Sequence, residues 1–321
     1  MTPVVYIVVM LLLAGIQTGY LRLARHLSII DRPNERSSHT DQTTIRGGGM
    51  LFFVAGTVAF IYASLTSPYF FAGLTVVAMV SFVDDLRPLP IRYRIGAHVV
   101  GIALLLTETG LVNNEMWIVA GLLLVGVGIL NACNFMDGIN GMTAFYGLVC
   151  VGTLWYWQRE LHLPGGDALL PFVFIALLIF GWANARRRAV CFAGDVGSMS
   201  IAFIILLPLI QVMSSTQTYL PILLLSVYGT DSVLTILHRL YRRENIFRAH
   251  RLHLFQLLVH RLNWPHLRVS ALYALIQLSI NVLVVNAVAW PISLQWLLAG
   301  AVLATLSGVY VMVKRRLMRP V

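Results

Sequence analysis

Long uncharged apolar stretches recur from one end of this chain to the other, and no other feature restricts its fold as strongly. Eleven such runs fall near 3–21, 48–64, 67–83, 95–107, 115–131, 141–157, 169–184, 197–213, 218–237, 270–288 and 292–313. A helix needs about 20 mainly apolar residues to cross a bilayer, and most of the runs approach that length. Composition agrees, since 58% of the 321 residues are hydrophobic and only 11% charged, against roughly 25% charged in a soluble domain. Inside lipid the backbone must satisfy its own hydrogen bonds, so a span is a helix or part of a closed barrel. Barrel strands alternate polar and apolar residues, whereas these runs are continuous, which favours helices. The expectation is an all-α polytopic membrane protein of about eleven transmembrane helices, forming one integral membrane domain over 1–321.

Charge placement orients the spans. Of the 23 Lys and Arg residues, 22 fall in segments on one side of the eleven-span arrangement, and Arg159 is the exception. Positive loops stay in the cytoplasm, so the N-terminus is expected outside and the C-terminus inside. The cytoplasmic loops then lie near 22–47, 84–94, 131–140, 185–196 and 238–269. A formal charge of +10 could suggest a nucleic-acid partner, but basic residues confined to short loops between apolar runs argue for membrane lipid and against nucleic acid. The first run lacks the basic leading segment of a signal peptide and reads as a retained span. Cys133, Cys150 and Cys191 show no metal-binding spacing.

Several polar clusters stand on the cytoplasmic side. Asp84 and Asp85 end the third run. Paired carboxylates at a membrane boundary are costly unless they bind a cation or do acid–base work; two solvated loop acids are the plainer alternative. Asn131, Asn134 and Asp137 recur every three residues, with Asn140 extending the row. On a helix that spacing predicts one polar face, with amides able to both donate and accept, as a uracil edge or sugar amide requires. Phe192-Ala193-Gly194-Asp195-Val196-Gly197-Ser198 opens the eighth run. Free N–H groups at a helix start suit phosphate oxygens, and a carboxylate suits Mg²⁺. An ordinary N-cap by Asp195 or Ser198 is equally in keeping with the pattern. His250, Arg251 and His253 fall in the last large loop, where helical spacing puts both histidines on one face and arginine can grip a diphosphate. There the competing reading is a basic amphipathic helix on anionic lipid, with Leu252, Phe255 and Leu258 as its apolar stripe. Arg46 and Gly47-Gly48-Gly49 enter the second run, suited to tight helix packing or to phosphate approach.

Taken in order from Asp31 to about Arg261, these motifs resemble the polyprenyl-phosphate N-acetylhexosamine-1-phosphate transferases, which include the bacterial lipid-carrier GlcNAc-1-phosphate transferases and the phospho-MurNAc-pentapeptide translocase. The resemblance implies an α-helical inner-membrane enzyme with a cytoplasmic site that uses Mg²⁺, or Mn²⁺ in its place. Its substrates would be a UDP-N-acetylhexosamine and polyprenyl phosphate, and a homodimer is compatible with it. It matches the family's aspartate pair to Asp84 and Asp85 and its asparagine segment to Asn131, Asn134, Asp137 and Asn140. Phe192, Gly194, Asp195 and Ser198 match its Phe-x-Gly-Asp-x-Gly-Ser segment. It implies Asp195 as a metal ligand with one of the pair, taken as Asp84, and places the aromatic under the uracil. Either Asp84 or Asp85 would orient or deprotonate the lipid phosphate. Departures from the pattern are His-Arg-Leu-His at 250–253, Pro88 where some relatives carry a third acid, and Asn140 for a second acid. They point toward the O-antigen-initiating branch. The alternatives are the translocase itself, whose histidine motif differs, and a proton-coupled transporter, against which the one-sided clustering of acids and the lack of an internal repeat both count.

Overall fold

A computed structural model of the chain describes residues 1–31, 44–163, 166–245 and 250–318. Residues 32–34 and Arg248, which belong to two of the loops considered above, lie outside the described residues. In chain order the helices are α1 (Pro3–His26), α2 (Met50–Tyr62), α3 (Pro68–Leu86), α4 (Ile91–Glu108), α5 (Met116–Met136) and α6 (Met142–Glu160). They continue with α7 (Gly166–Asn184), α8 (Gly194–Thr216), α9 (Ser226–Tyr241), α10 (Leu254–Leu262), α11 (His266–Ala287) and α12 (Ile292–Leu317).

Every one of the eleven apolar runs is helical, and α10 is an additional short helix. Seven stretches are long and apolar enough to cross a membrane: α1, α3, α5, α8, Leu220–Tyr241, α11 and α12. In Leu220–Tyr241 a short 3₁₀ segment leads into α9. Helix α2 and the stretch Ala168–Asn184 are apolar but shorter. Helix α4 opens with Arg92 and Arg94 and closes on Glu108, and α6 ends in Arg159 and Glu160, which dilutes their apolar character. The chain is therefore a multi-pass helical membrane protein. Large apolar side chains face outward along α1, α5 and α12, such as Leu11, Leu124 and Leu297, a surface that only lipid or another apolar body can cover.

Helix α8 is the hub. It is buried along almost its whole length from Val196 to Leu209 and packs on α2, α3, α5 and α6. An apolar helix surrounded on all sides is what a sequence without an amphipathic stripe should give. Its start is covered by the segment after α1. There Ile30–Asp31 and Thr44–Ile45 form a two-residue antiparallel ribbon, pairing Ile30 with Ile45, and Ile45 also bridges in parallel to Cys191. This small ribbon is the one departure from all-helical structure among the described residues.

The glycine run beside the ribbon lets two backbones touch. Amides of Gly48 and Gly49 donate to the carbonyls of Phe192 and Ala193 at 2.8 and 3.0 Å, and the Phe192 amide donates to Ile45 at 2.8 Å. A Cβ on Gly49 would stand 2.5 Å from the Cα of Gly197. Of the two readings of this run, packing is thus the one seen, and it locks the entry of α2 to the entry of α8.

Candidate active site

At the end of the bundle where α3, α5 and α8 meet the loops lies a cavity of about 440 Å³ lined by Asp31, Arg46, Asp84, Arg94, Asn134, Asp137, Phe192 and Asp195 among others. Its size falls in the usual range for small-molecule sites.

The aspartate pair divides its labour. Asp85 is wholly buried and outside the pocket lining. One of its oxygens accepts from the Asp195 amide at 2.9 Å and the other from the Val196 amide at 3.0 Å. Arg46 Nε reaches the first of these oxygens at 2.7 Å. Asp85 therefore caps the first amides of α8 from α3, across 110 residues of sequence, while Ala193 holds the N-cap position. A carboxylate at the positive end of a helix is favourable both as an acceptor and electrostatically. This corrects two expectations. The cap is neither Asp195 nor Ser198, and the Asp195 and Val196 amides are occupied, not open to a phosphate. Gly194 takes φ +73° in this turn, and a Cβ there would stand 2.5 Å from Asp85 Oδ2.

Asp84, one residue earlier, projects into the pocket. It accepts from the Leu89 amide at 2.6 Å, and Arg94 Nη1 lies 3.3 Å from its other oxygen. The second fork of the same guanidinium, Nη2, lies 3.3 Å from Asp195, and Arg46 Nη2 stands 3.7 Å from the other Asp195 oxygen. Asp84 and Asp195 thus share one arginine and face the same space. Burial alone would disfavour the charge of Arg46, but Asp85, Asp195 and Asp31 outweigh it and hold its pKa above the ordinary value. Asp31, at the pocket rim, has its pKa raised by burial, with Arg46 opposing.

The asparagine row is split by the end of α5 at Met136. Asn134 and Asp137 line the pocket. Asn131, one turn back, bonds the Val127 carbonyl at 2.8 Å and approaches His98 at 3.5 Å. Asn140, beyond the helix, is buried and donates to the Arg186 carbonyl at 2.7 Å. Asn131 is inside α5 but a turn deeper and held by its own helix and His98, and Asn140 lies beyond the helix end, so the single polar face expected for all four is not formed. Ser198 donates to Asn134 Oδ1 at 2.8 Å and is itself buried. It sets the asparagine without lining the cavity. Asp137 accepts a short hydrogen bond from Thr143, and burial pushes its pKa up to about 6.

His250 and His253 precede α10 and do not lie on it. His253 is its N-cap, with Gln256 returning the bond to the His253 amide at 3.2 Å. The imidazoles stack with centroids 5.0 Å apart. Burial and the neighbouring His253, Arg239 and Lys314 lower the His250 pKa to about 4. Neither ring lines the pocket, but Gln256 and Gly138 do, and Phe255 packs onto Gly138, 2.9 Å from where a Cβ would stand. Helix α10 itself buries Phe255, Leu257 and Leu258, so the amphipathic helix and the histidine motif are both present, one after the other.

Comparison with known proteins bears on the same residues. Residues 67–213 match the model of glycosyl transferase family 4. Among curated proteins, a probable undecaprenyl-phosphate N-acetylglucosaminyl 1-phosphate transferase of Bacillus subtilis is 27% identical over 272 residues, covering 76% of this chain and 73% of the relative. The undecaprenyl-phosphate alpha-N-acetylglucosaminyl 1-phosphate transferase of Escherichia coli K12 is 26% identical over 271 residues, 74% of this chain and 71% of that one. A decaprenyl-phosphate N-acetylglucosaminephosphotransferase of Mycobacterium tuberculosis is 26% identical over 223 residues, 59% and 55% of the two chains.

Over residues 67–213 the chain is similar to glycosyl transferase family 4. The family match runs from the start of α3 into α8 and contains Asp84, Arg94, Asn134, Asp137 and Asp195. Arg46, Asp31 and Gln256 enter the pocket from outside it. Sequence reasoning passed over Arg94, which counted only as a cytoplasmic charge, and over Asp231, a lone acid inside an apolar run. Asn184 also escaped it; its side chain ties the Gly141 amide to the Cys191 carbonyl at 2.7 and 2.9 Å. The available signal was position: Arg94 stands ten residues beyond Asp84, across the short link from α3 to α4.

Proposed function

We propose that this protein transfers an N-acetylhexosamine-1-phosphate from a UDP-sugar to polyprenyl phosphate and releases UMP. The observation that carries the reading is the juxtaposition of Asp84 and Asp195 around the shared Arg94, with Arg46 beside them, in a pocket at one end of a membrane-spanning bundle. The sequence relatives support it by their names. Among the described residues no three His, Cys, Asp or Glu side chains form a ready metal cluster. Two carboxylates suffice for Mg²⁺, which is commonly held by one or two carboxylates with substrate phosphates and water. Their hard oxygen donors fit that ion, or Mn²⁺, with Asp84 and Asp195 as the holders. When bound, the ion would neutralise charge on the diphosphate.

The chain's own residues do the remainder. Arg46 and Arg94 present planar forks suited to phosphate oxygens. Asn134 has its carbonyl engaged by Ser198, which leaves its amide –NH₂ as a donor to the donor nucleotide or sugar. Phe192 offers a ring face to the uracil. A lipid phosphate oxygen forms a bond to the β-phosphorus while the bond from that phosphorus to the bridging oxygen breaks, and the pair stays with UMP. The attacking group is mostly dianionic near neutral pH, with pKa of about 6, so alignment contributes more than base catalysis. Asp84 is the member of the pair placed to orient it. We place the pocket on the cytoplasmic face of the inner membrane, the N-terminus outside, on the charge asymmetry, and the pathway in O-antigen initiation on the histidine and Asn140 departures. The test is UMP release by purified protein with undecaprenyl phosphate and a panel of UDP-N-acetylhexosamines, with Mg²⁺ or EDTA. Release that needs both lipid and metal supports the reading, and its absence with every donor from folded protein refutes it.

A further inference from the structure

Behind the histidine segment stands a carboxylate that the pocket does not touch. Asp231, on α9, is only 3% exposed and is absent from the pocket lining. Its Oδ1 meets His253 Nδ1 at 3.2 Å, the Thr235 hydroxyl at 3.2 Å and the Leu254 amide at 3.0 Å. Its Oδ2 accepts from Tyr273 at 2.7 Å, from Leu254 at 3.1 Å and from Phe255 at 3.4 Å. An ionised carboxylate can only accept, so His253 Nδ1 carries a proton toward it. The other ring nitrogen, Nε2, is buried and has no hydrogen-bond partner among the described residues. Buried polar atoms are rarely left so, and each one calls for an explanation.

The donors behind Asp231 form a directed thread. Thr235 and Tyr310 hydroxyls are 2.7 Å apart, and Lys314 donates to Tyr310. Each hydroxyl has one proton, so one arrangement satisfies all of them. Lys314 gives to Tyr310, Tyr310 to Thr235, and Thr235 to Asp231. Lys314 is itself buried, and the thread links its charge to the carboxylate. Three helices, α12, α9 and the start of α10, are thereby joined at one point. That point is next to the pocket wall, because Gln256 and Gly138 flank the same turn.

We propose that Asp231 is a positioning residue. It holds His253 in the Nδ1-protonated form and fixes the ring behind the pocket wall, with Nε2 as the nitrogen left to accept a hydrogen bond. This rests on reading the pocket as a sugar-phosphate transferase site, but the state of the ring can be read without turnover. In histidine-labelled protein in detergent, a two-bond proton–nitrogen spectrum at pH 8 identifies His253 by the signals missing from H253Q. The expected result is a proton on Nδ1 in the unsubstituted protein and its loss or redistribution in D231N. A neutral ring protonated only on Nε2, or an unchanged spectrum in D231N, overturns the proposal.

Turnover gives the second readout. A hydrogen bond to a charged group corresponds to a loss on the order of 30-fold in kcat for D231N and for H253Q. Because one residue acts through the other, the double variant should fall no more than about 3-fold below the worse single one. Losses that multiply, or full kcat in folded D231N, count against it. If D231N does not accumulate, H253N decides, since it keeps an N–H for Asp231 but lacks Nε2. It should fold and be inactive, and full activity would overturn the proposal. If the unsubstituted protein transfers no sugar while the spectra come out as expected, the transferase reading fails and the positioning role stands.

Discussion

Alanine at position 49 would test whether backbone contact sets the site. The added Cβ would stand 2.5 Å from the Cα of Gly197 and 2.9 Å from the Ala193 carbonyl. Carbon atoms in good contact are about 3.5–4.0 Å apart, so the starts of α2 and α8 must separate by about 1 Å. Both obstacles are backbone atoms, and no side chain can swing aside. Overpacking of this kind costs about 1–3 kcal/mol, which for a chain of this length corresponds to a Tm lower by roughly 1.5–4.5 °C. The larger effect is on rate. The displaced turn carries Asp195 and the two amides that Asp85 caps, and a misplacement of about 1 Å can cost 10²-fold. G49A should therefore lose on the order of 100-fold in kcat for UMP release while remaining folded in detergent. Gly121, on α5, has nothing within 4 Å of the built Cβ, and G121A serves as the neutral comparison. G49A turning over at more than half the normal rate would refute the idea that this crossing holds the carboxylates in register.

Three further outcomes are expected. R94A leaves Asp84 and Asp195 facing one another without the guanidinium between them, and kcat/KM for the UDP-sugar should fall about 100-fold. R94K should recover only part of that loss, and full recovery would show that charge without the fork is enough. D195N should abolish UMP release at ordinary Mg²⁺, as should EDTA with the unsubstituted protein, with added Mg²⁺ or Mn²⁺ reversing the chelation; normal turnover by D195N would remove it as a metal holder. Asp137 titrates at about 6 in the folded protein against 3.8 for a free carboxyl. The folded state holds a proton that the unfolded chain releases between those values, so stability is lost as pH rises through that window. D137N removes the effect and should raise Tm relative to the unsubstituted protein above pH 6 but not at pH 4; a difference independent of pH would contradict the shift.

The apolar runs were legible because span length and continuity are properties of the sequence itself. Motif positions were equally plain, since Asp84, Asn134, Asp137, Phe192 and Asp195 do converge on one pocket. What could not be read was which neighbour of a pair faces inward. Asp84 and Asp85 look alike in sequence, and their roles separate only because the start of α8 packs against the second of them. Asn140 kept the spacing of the row but not its phase, since α5 stops at Met136, and Asn131 kept both but lies a turn too deep to reach the pocket. Asp231 was hidden by its surroundings. A single acid among apolar residues does not announce its partners, which come from the start of α10, from α11 and from Thr235 on its own helix, with α12 reaching it through Thr235.

The thread from Lys314 to Asp231 also bears on the order in which the chain is made. Asp231 emerges from the ribosome well before the helix that carries its cationic counterpart. Until α12 has been synthesised and has settled against α9, the carboxylate is buried beside hydroxyls whose donor chain has no charged end. The last described helix is thus a fastening for a turn beside the pocket assembled from much earlier segments. A nascent chain halted before Lys314 would have every carboxylate of the pocket already in place, yet the turn carrying His253 would be held by only part of its support.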